Sequence, residues 1–169
     1  GPVVDHVLCR PWNQLGDVQV GLAVAASAPA TALPAISSAE GLRATLLAAK
    51  SIAYADPARG ATAGAHFATV LQALGLREQL AARITVLPFG VDVIEAVAAG
   101  RFELGISQSS EIVQHAGVRY VGALPAPYRL ATRYQAAALK GRTNGAALLR
   151  YLAGSAGQAA SRKSGFAAP

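Results

Sequence analysis

Short apolar runs alternate along most of this chain with helical patterns of about ten residues. Turn signals such as Asp56-Pro57, Pro88 and Gly100 separate them, because Pro and Gly disfavour the continuation of a strand or a helix. Such alternation is typical of βαβ units, in which helices cover both faces of a sheet. We therefore predict an α/β fold with a mostly parallel sheet, and strands at residues 18–25, 51–55, 84–87, 102–107 and 118–124.

Helices are predicted between these strands, where apolar residues recur at helical spacing. Ser37 and Glu40 match a capping box, which predicts the start of a helix. Leu42, Leu46 and Leu47 then form an apolar stripe along that helix. Further helices are predicted at residues 62–75, 90–99 and 146–152, with a short helix from Ser109. Residues 128–139 are expected to be extended, and the tail at 154–169 is assigned no helix or strand.

Length and composition exclude several classes of protein. The 169 residues suit one domain, or one domain and part of a second. No apolar run approaches the about 20 residues of a membrane span. With one cysteine (Cys9) and three histidines, we predict no internal disulfide, no metal site and no cofactor. Residues 112–169 carry eight Lys or Arg and no acid, but these are scattered without an RNA-binding aromatic pattern, so we expect no nucleic-acid binding.

The turn after the strand at 51–55 is a candidate anion site. The following helix begins with Thr62, Ala63 and Gly64, whose small side chains leave the first backbone N–H groups accessible. These N–H groups have no partner within the helix and lie at the positive end of its dipole, so they attract anions. A plain turn between strand and helix explains the same residues equally well. A P-loop is excluded, since no Gly-Lys-Ser/Thr follows.

A second turn of the same kind lies at Gly90 and Val91, directly after the strand at 84–87. Ligands of open α/β sheets bind outside the carboxyl ends of the strands, so both helix N-termini are expected to face one crevice. Gln108 follows the strand at 102–107 and could add a side-chain contact. Alternatively, Ser109 only caps the next helix and Glu111 lies in its first turn.

Four stretches of this chain are similar to the periplasmic solute-binding proteins of ABC importers, in particular to the molybdate-binding family and its ModA-like relatives. They are AKSIAYADPARGATAG, LGLREQLAARI, FGVDVIEAVAAGRFELGISQSSEI and VRYVGALPAPY. The resemblance runs from about Val18 to the tail. It implies a type II periplasmic-binding fold, in which two α/β lobes close over a small ligand.

The resemblance also assigns roles to residues. The second-lobe anion contacts of the family correspond to backbone N–H groups at Ala63 and near Gly90 or Val91. Gln108 stands where the molybdate binders carry a tyrosine. The serine-bearing loops of the first lobe have no counterpart. We thus expect a lead-in at 1–17 (part tag remnant or hinge), the second lobe at 18–124, and a return strand and C-terminal helix at 125–169 that pack on an absent first lobe.

The resemblance implies a non-enzymatic protein that binds a small anion in an interlobe cleft and delivers it to an ABC permease. No GxSxG, HExxH or pair of carboxylates at informative spacing suggests catalysis, and His66 is expected at the surface or half-buried. A periplasmic location follows from the family, although the chain shows no signal peptide. Alternatives are the effector domain of a bacterial transcription regulator with the same fold, or a binder of a small organic solute. A homodimer through the incomplete lobe is also expected.

Overall fold

A computed structural model describes residues 13–29, 33–140 and 143–168. The chain divides into two compact units, which are described separately. The larger unit is Gln19–Leu130, and the smaller combines the chain up to Val18 with Ala131–Pro169. Residues 1–12, which hold most of the predicted lead-in together with Cys9, lie outside the described residues.

The larger unit is built on a sheet whose strands follow the order β3-β2-β4-β1-β5. β2 pairs in parallel with β3 and with β4, whereas β1 pairs antiparallel with β4 and β5. The strands are β1 (Asn13–Ala25), β2 (Ile52–Ala55), β3 (Ile84–Leu87), β4 (Leu104–Gln108) and β5 (Val118–Ala123). The predicted α/β class is confirmed. Four of these strands run in one direction, and β1 is inserted between β4 and β5 in the opposite direction.

Four helices cover this sheet: α1 (Ala39–Ala48), α2 (Thr62–Ala73), α3 (Gly90–Ala98) and α4 (Ser109–Val113). The predicted cap of α1 is wrong by one position. Ser38, not Ser37, is the N-cap, and its Oγ accepts a hydrogen bond of 3.0 Å from the Gly41 N–H. Ser38 has the extended backbone of an N-cap residue, so its side chain can turn back over the first helical turn.

The helices lie on both faces of the sheet, as neighbouring residues of β1 show. Leu22 packs with the apolar residues of α1 and α2, whereas Ala23 packs with those of α3 and α4. Successive residues of a strand point to opposite faces, so one strand contributes to two cores. The first core takes Leu42 and Leu46 from α1 and Phe67, Val70 and Leu71 from α2, and the second takes Ile94, Val97 and Ile112.

The smaller unit contains β6 (Ala131–Ala136), α5 (Thr143–Ala153), α6 (Ser155–Lys163) and β7 (Phe166–Ala167). β6 and β7 both pair with β1, β7 through Asp17 and Val18. Arg133 Nε lies 3.2 Å from Asp17 Oδ1, and the rings of Tyr134 and Phe166 meet edge to face at 5.3 Å. The tail at 154–169, to which the sequence assigned no helix or strand, contains α6 and β7.

The described ranges hold no membrane-crossing helix and no metal-binding cluster. None of their helices combines the length and the apolar character that crossing a bilayer requires. No group of three or more His, Cys, Asp or Glu in the same ranges is arranged to hold a metal ion.

Candidate functional site

The carboxyl ends of β2, β3 and β4 lie at one edge of the sheet, because these strands are parallel neighbours. Ala55 pairs with Leu87 at the ends of β2 and β3, and the Asp56 N–H donates to the Leu87 carbonyl at 2.8 Å. The candidate residues all occupy this edge. They are Thr62, Ala63 and Gly64 in the first turn of α2, Gly90 and Val91 in the first turn of α3, and Gln108 at the end of β4.

The N-terminus of α2 carries no side-chain cap. Its N-cap is Ala61, which has no side-chain acceptor, and no acidic residue lies in the first turn. Thr62 is exposed, whereas Ala63 and Gly64 are buried. A Cβ on Gly64 would overlap the Ala55 carbonyl oxygen, so glycine allows α2 to begin directly against the end of β2. The first N–H groups of α2 are left without intrahelical acceptors.

The N-terminus of α3 already has a carboxylate beside it. A Cβ on Gly90 would overlap Oε2 of Glu111 and would come within 2.7 Å of Ser107 Oγ. Oε2 also accepts the buried Ser107 hydroxyl. Asp92 engages the N-cap residue of α3, since its Oδ2 accepts the Phe89 N–H at 3.0 Å. Sequence reasoning placed Glu111 in a helix turn but could not place it against α3. That contact depends on how the chain crosses from β3 through α3 to β4.

Gln108 carries an unusual side chain. Its Oε1 is buried and has no hydrogen-bond partner among the described residues, although the residue as a whole is only partly buried. A buried acceptor without a donor costs about 1–3 kcal/mol. The structure thus leaves an unpaired amide oxygen at the end of β4, among the candidate residues.

Arg59 is a cation at this edge that sequence reasoning missed. Its guanidinium lies 5.4 Å from the ring centre of Phe89, the N-cap of α3, and 3.9 Å from Asp56 Oδ2. Arg59 ends the short 3₁₀ turn Pro57–Arg59 that leads into α2, so it stands between the starts of α2 and α3 along this edge. The sequence signal for Arg59 was a single basic residue in the loop before a helix N-terminus.

His66 is partly buried on α2, as predicted. Its Nε2 lies 2.7 Å from the Tyr128 carbonyl oxygen, and since a carbonyl can only accept, Nε2 carries the proton. The ring is therefore committed to a structural contact. It also lines an open groove of about 490 Å³ together with Pro57, Gly60, Thr62, Ala65, Thr69 and Leu130.

Comparison with known proteins gives a consistent result. A sequence profile described as "Bacterial extracellular solute-binding protein" matches residues 13–167. The substrate-binding domain of a putative molybdenum ABC transporter from Clostridium difficile superimposes with a TM-score of 0.77 at 18% identity, over 99% of this chain and 72% of the other. The periplasmic molybdate-binding protein of Azotobacter vinelandii superimposes with a TM-score of 0.66 at 22% identity, over 99% of this chain and 74% of the other.

A periplasmic binding protein from Methylobacterium extorquens gives a TM-score of 0.59 at 15% identity, over 95% of this chain and 72% of the other. These identities are too low to transfer a ligand, so they show the fold alone. A search of curated protein sequences found no significant match.

Proposed function

This chain belongs to the family of bacterial extracellular solute-binding proteins, and from that premise we propose that it binds a small tetrahedral oxyanion of the molybdate type for an ABC importer. It works in the periplasm, where it delivers the anion to the permease. The role is binding rather than catalysis and needs no cofactor. The solved structures named above are of binding proteins, which supports this role.

The observation that carries the oxyanion proposal is the set of hydrogen-bond donors at the carboxyl edge of β2, β3 and β4. Backbone N–H groups there have no intrahelical acceptor, and the dipoles of α2 and α3 favour negative charge at the same positions. Gln108 at the end of β4 would add the NH₂ group of its amide, and Arg59 adds a guanidinium. The proposed contacts are the N–H groups of Thr62, Ala63, Gly64, Gly90 and Val91, with the side chains of Gln108 and Arg59.

Calorimetric titration of the protein with molybdate, tungstate, sulfate and phosphate at constant ionic strength tests this proposal. We expect saturable binding of at least one anion. Arg59→Ala should weaken it about tenfold or more, because a hydrogen bond to a charged group contributes about 1.5–3 kcal/mol. Arg77→Ala is the matched control, since Arg77 is exposed in the turn after α2.

Absence of saturable binding for all four anions would contradict the oxyanion proposal. Equal losses in Arg59→Ala and Arg77→Ala would contradict the assignment of the site, because a general loss of positive charge would then explain both.

A further inference from the structure

We propose that Phe89 is a positioning residue of the anion site, because its ring holds the Arg59 guanidinium between the starts of α2 and α3. This inference rests on the proposed oxyanion-binding function and adds a residue that is outside the proposed set of anion contacts. It concerns the N-cap of α3, the residue directly before Gly90.

Phe89 is an unusual residue for the N-cap of a helix. Ser, Thr, Asp and Asn are preferred there, because their side chains accept a hydrogen bond from the first helical turn. A phenyl ring has no such acceptor, so α3 gains no side-chain cap from Phe89. The backbone of Phe89 is nevertheless fixed, since its N–H donates to Asp92 Oδ2 at 3.0 Å. The ring is therefore attached to a fixed point at the start of α3.

The contact that this ring makes is with a cation. Phe89 is 52% exposed, and it belongs to none of the three buried apolar clusters of the described residues. The central carbon of the Arg59 guanidinium lies 5.4 Å from the ring centre. A cation within about 6 Å of the centre of an aromatic ring is attracted by the negative charge on the ring face. The ring thus restrains Arg59 from the side of α3.

Arg59 is restrained without losing its hydrogen-bond donors. Its Nε lies 3.9 Å from Asp56 Oδ2, which is too far for a hydrogen bond. Asp56 is itself anchored, because its N–H donates to the Leu87 carbonyl at 2.8 Å and its Oδ1 accepts the Ala58 N–H at 2.9 Å. Attraction to a ring requires no hydrogen-bond acceptor, so both contacts leave the donors of the guanidinium available to an oxyanion.

Restraint of Arg59 before the anion arrives should strengthen binding. An arginine side chain has many rotamers, and fixing such a side chain during binding costs affinity. The side chain of Arg59 is 55% exposed, so no core restrains it. Phe89 and Asp56 pay part of this cost in the free protein, which is preorganisation of the site.

A double-mutant cycle tests this role by calorimetric titration with molybdate, tungstate, sulfate and phosphate at constant ionic strength. Phe89→Leu keeps an apolar side chain but removes the ring. It should lower the affinity about two- to fivefold, the size of a cation–π contact at an exposed site. Phe89→Trp should retain the affinity, because Trp attracts cations best. Phe89→Leu should have no effect on affinity when it is combined with Arg59→Ala. Combined with Arg77→Ala, at an exposed arginine after α2, it should cause its full loss.

Nuclear magnetic resonance of the anion-free protein adds a measurement that does not depend on binding. The ring current of Phe89 should shift the side-chain resonances of Arg59. Phe89→Leu should abolish that shift and leave the resonances of Arg77 unchanged.

The outcomes separate the two proposals. If wild type binds none of the four anions, the proposed function fails, and the role of Phe89 in binding fails with it. If wild type binds an anion but Phe89→Leu lowers the affinity equally with and without Arg59, or not at all, only the role of Phe89 is refuted. Arg59 resonances that Phe89→Leu leaves in place would likewise refute that role alone.

Discussion

Gln108 joins a cost in stability to a proposed gain in binding. Its buried Oε1 lacks a donor among the described residues. Strand residues that serve only the fold are normally apolar or have their hydrogen bonds satisfied. The fold alone therefore does not account for this side chain, and we expect the amide to be kept for the donor that its NH₂ group can offer to an anion.

Replacing Gln108 by leucine should separate these two effects. Gln108→Leu removes the unpaired oxygen, so the free energy of unfolding without ligand should stay the same or rise by about 1 kcal/mol. Affinity for the oxyanion should fall. Urea unfolding and calorimetry on the same preparations measure both quantities. Gln114→Leu is the control, because the exposed Gln114 donates from Nε2 to the Ser110 carbonyl, and its loss should not affect affinity. Parallel losses of stability and affinity in Gln108→Leu would refute this interpretation.

Tyr120 is expected to make the folding stability of the protein fall at alkaline pH. Burial raises the pKa of its hydroxyl above 10.0, and the charge of Arg129 lowers it in part. The folded state thus holds this proton more tightly than the unfolded chain does. The stabilisation is complete below the unfolded pKa and is lost as the pH rises through the folded one.

We therefore expect Tyr120→Phe to lose less stability than wild type between pH 8 and about pH 10.5. Urea unfolding at both pH values measures the difference. Tyr151→Phe controls for the loss of a hydroxyl, because Tyr151 is 60% exposed. Identical alkaline losses in wild type and Tyr120→Phe would show that Tyr120 ionises equally in both states.

At the scale of elements, the start of α1 offers two adjacent serines with different roles. Ser38 Oγ accepts the Gly41 N–H, whereas Ser37 precedes the cap. Ser38→Ala should lower the free energy of unfolding by about 1 kcal/mol. Ser37→Ala should change it by less than about 0.5 kcal/mol. Urea unfolding of both variants checks this, and an equal effect of the two substitutions would contradict the assignment of Ser38 as the cap.

The helices and strands of the larger unit were largely predictable, because local signals determine them. The predicted strand at residues 84–87 is confirmed as β3, and Gly90 begins α3 as expected. The antiparallel placement of β1 depends on pairing with β4 and β5, which no local pattern encodes. α6 was missed because SAGQAASRK has no apolar stripe and contains Gly157, although its Ala, Gln, Arg and Lys are good helix formers.

The candidate site likewise contains some residues that could be identified from sequence and others that could not. Gly64 and Gly90 could be found from sequence, since each lies in a turn between a strand and a helix. Glu111 and Arg59 could not. Glu111 reaches Gly90 across residues far apart in the chain, and Arg59 meets Phe89 only because β2 and β3 are neighbours. Contacts of this kind follow from the order of strands rather than from periodicity.

At the scale of the whole molecule, apolar burial is concentrated in one unit. Among the described residues, the three clusters of buried apolar side chains lie within Gln19–Leu130. The smaller unit exposes Leu139, Leu148 and Tyr151, the last two on α5. It also holds six of the eight basic residues of 112–169, which have no acids among them. Sparse apolar burial and the excess of positive charge both reduce the stability of that unit relative to the larger one.

Hydrogen exchange should reveal this difference directly. Amides open locally with free energies that depend on the buried contacts around them. We expect those of α5 and α6 to exchange far faster than those of β2, β4 and α2 in the same molecule. Mass spectrometry of peptides from one labelled sample measures both units together, and α2 serves as the internal control because it is also a helix. Equal protection of α5 and α2 would mean that the smaller unit opens only with global unfolding. The unequal distribution of apolar burial would then have no consequence for local stability.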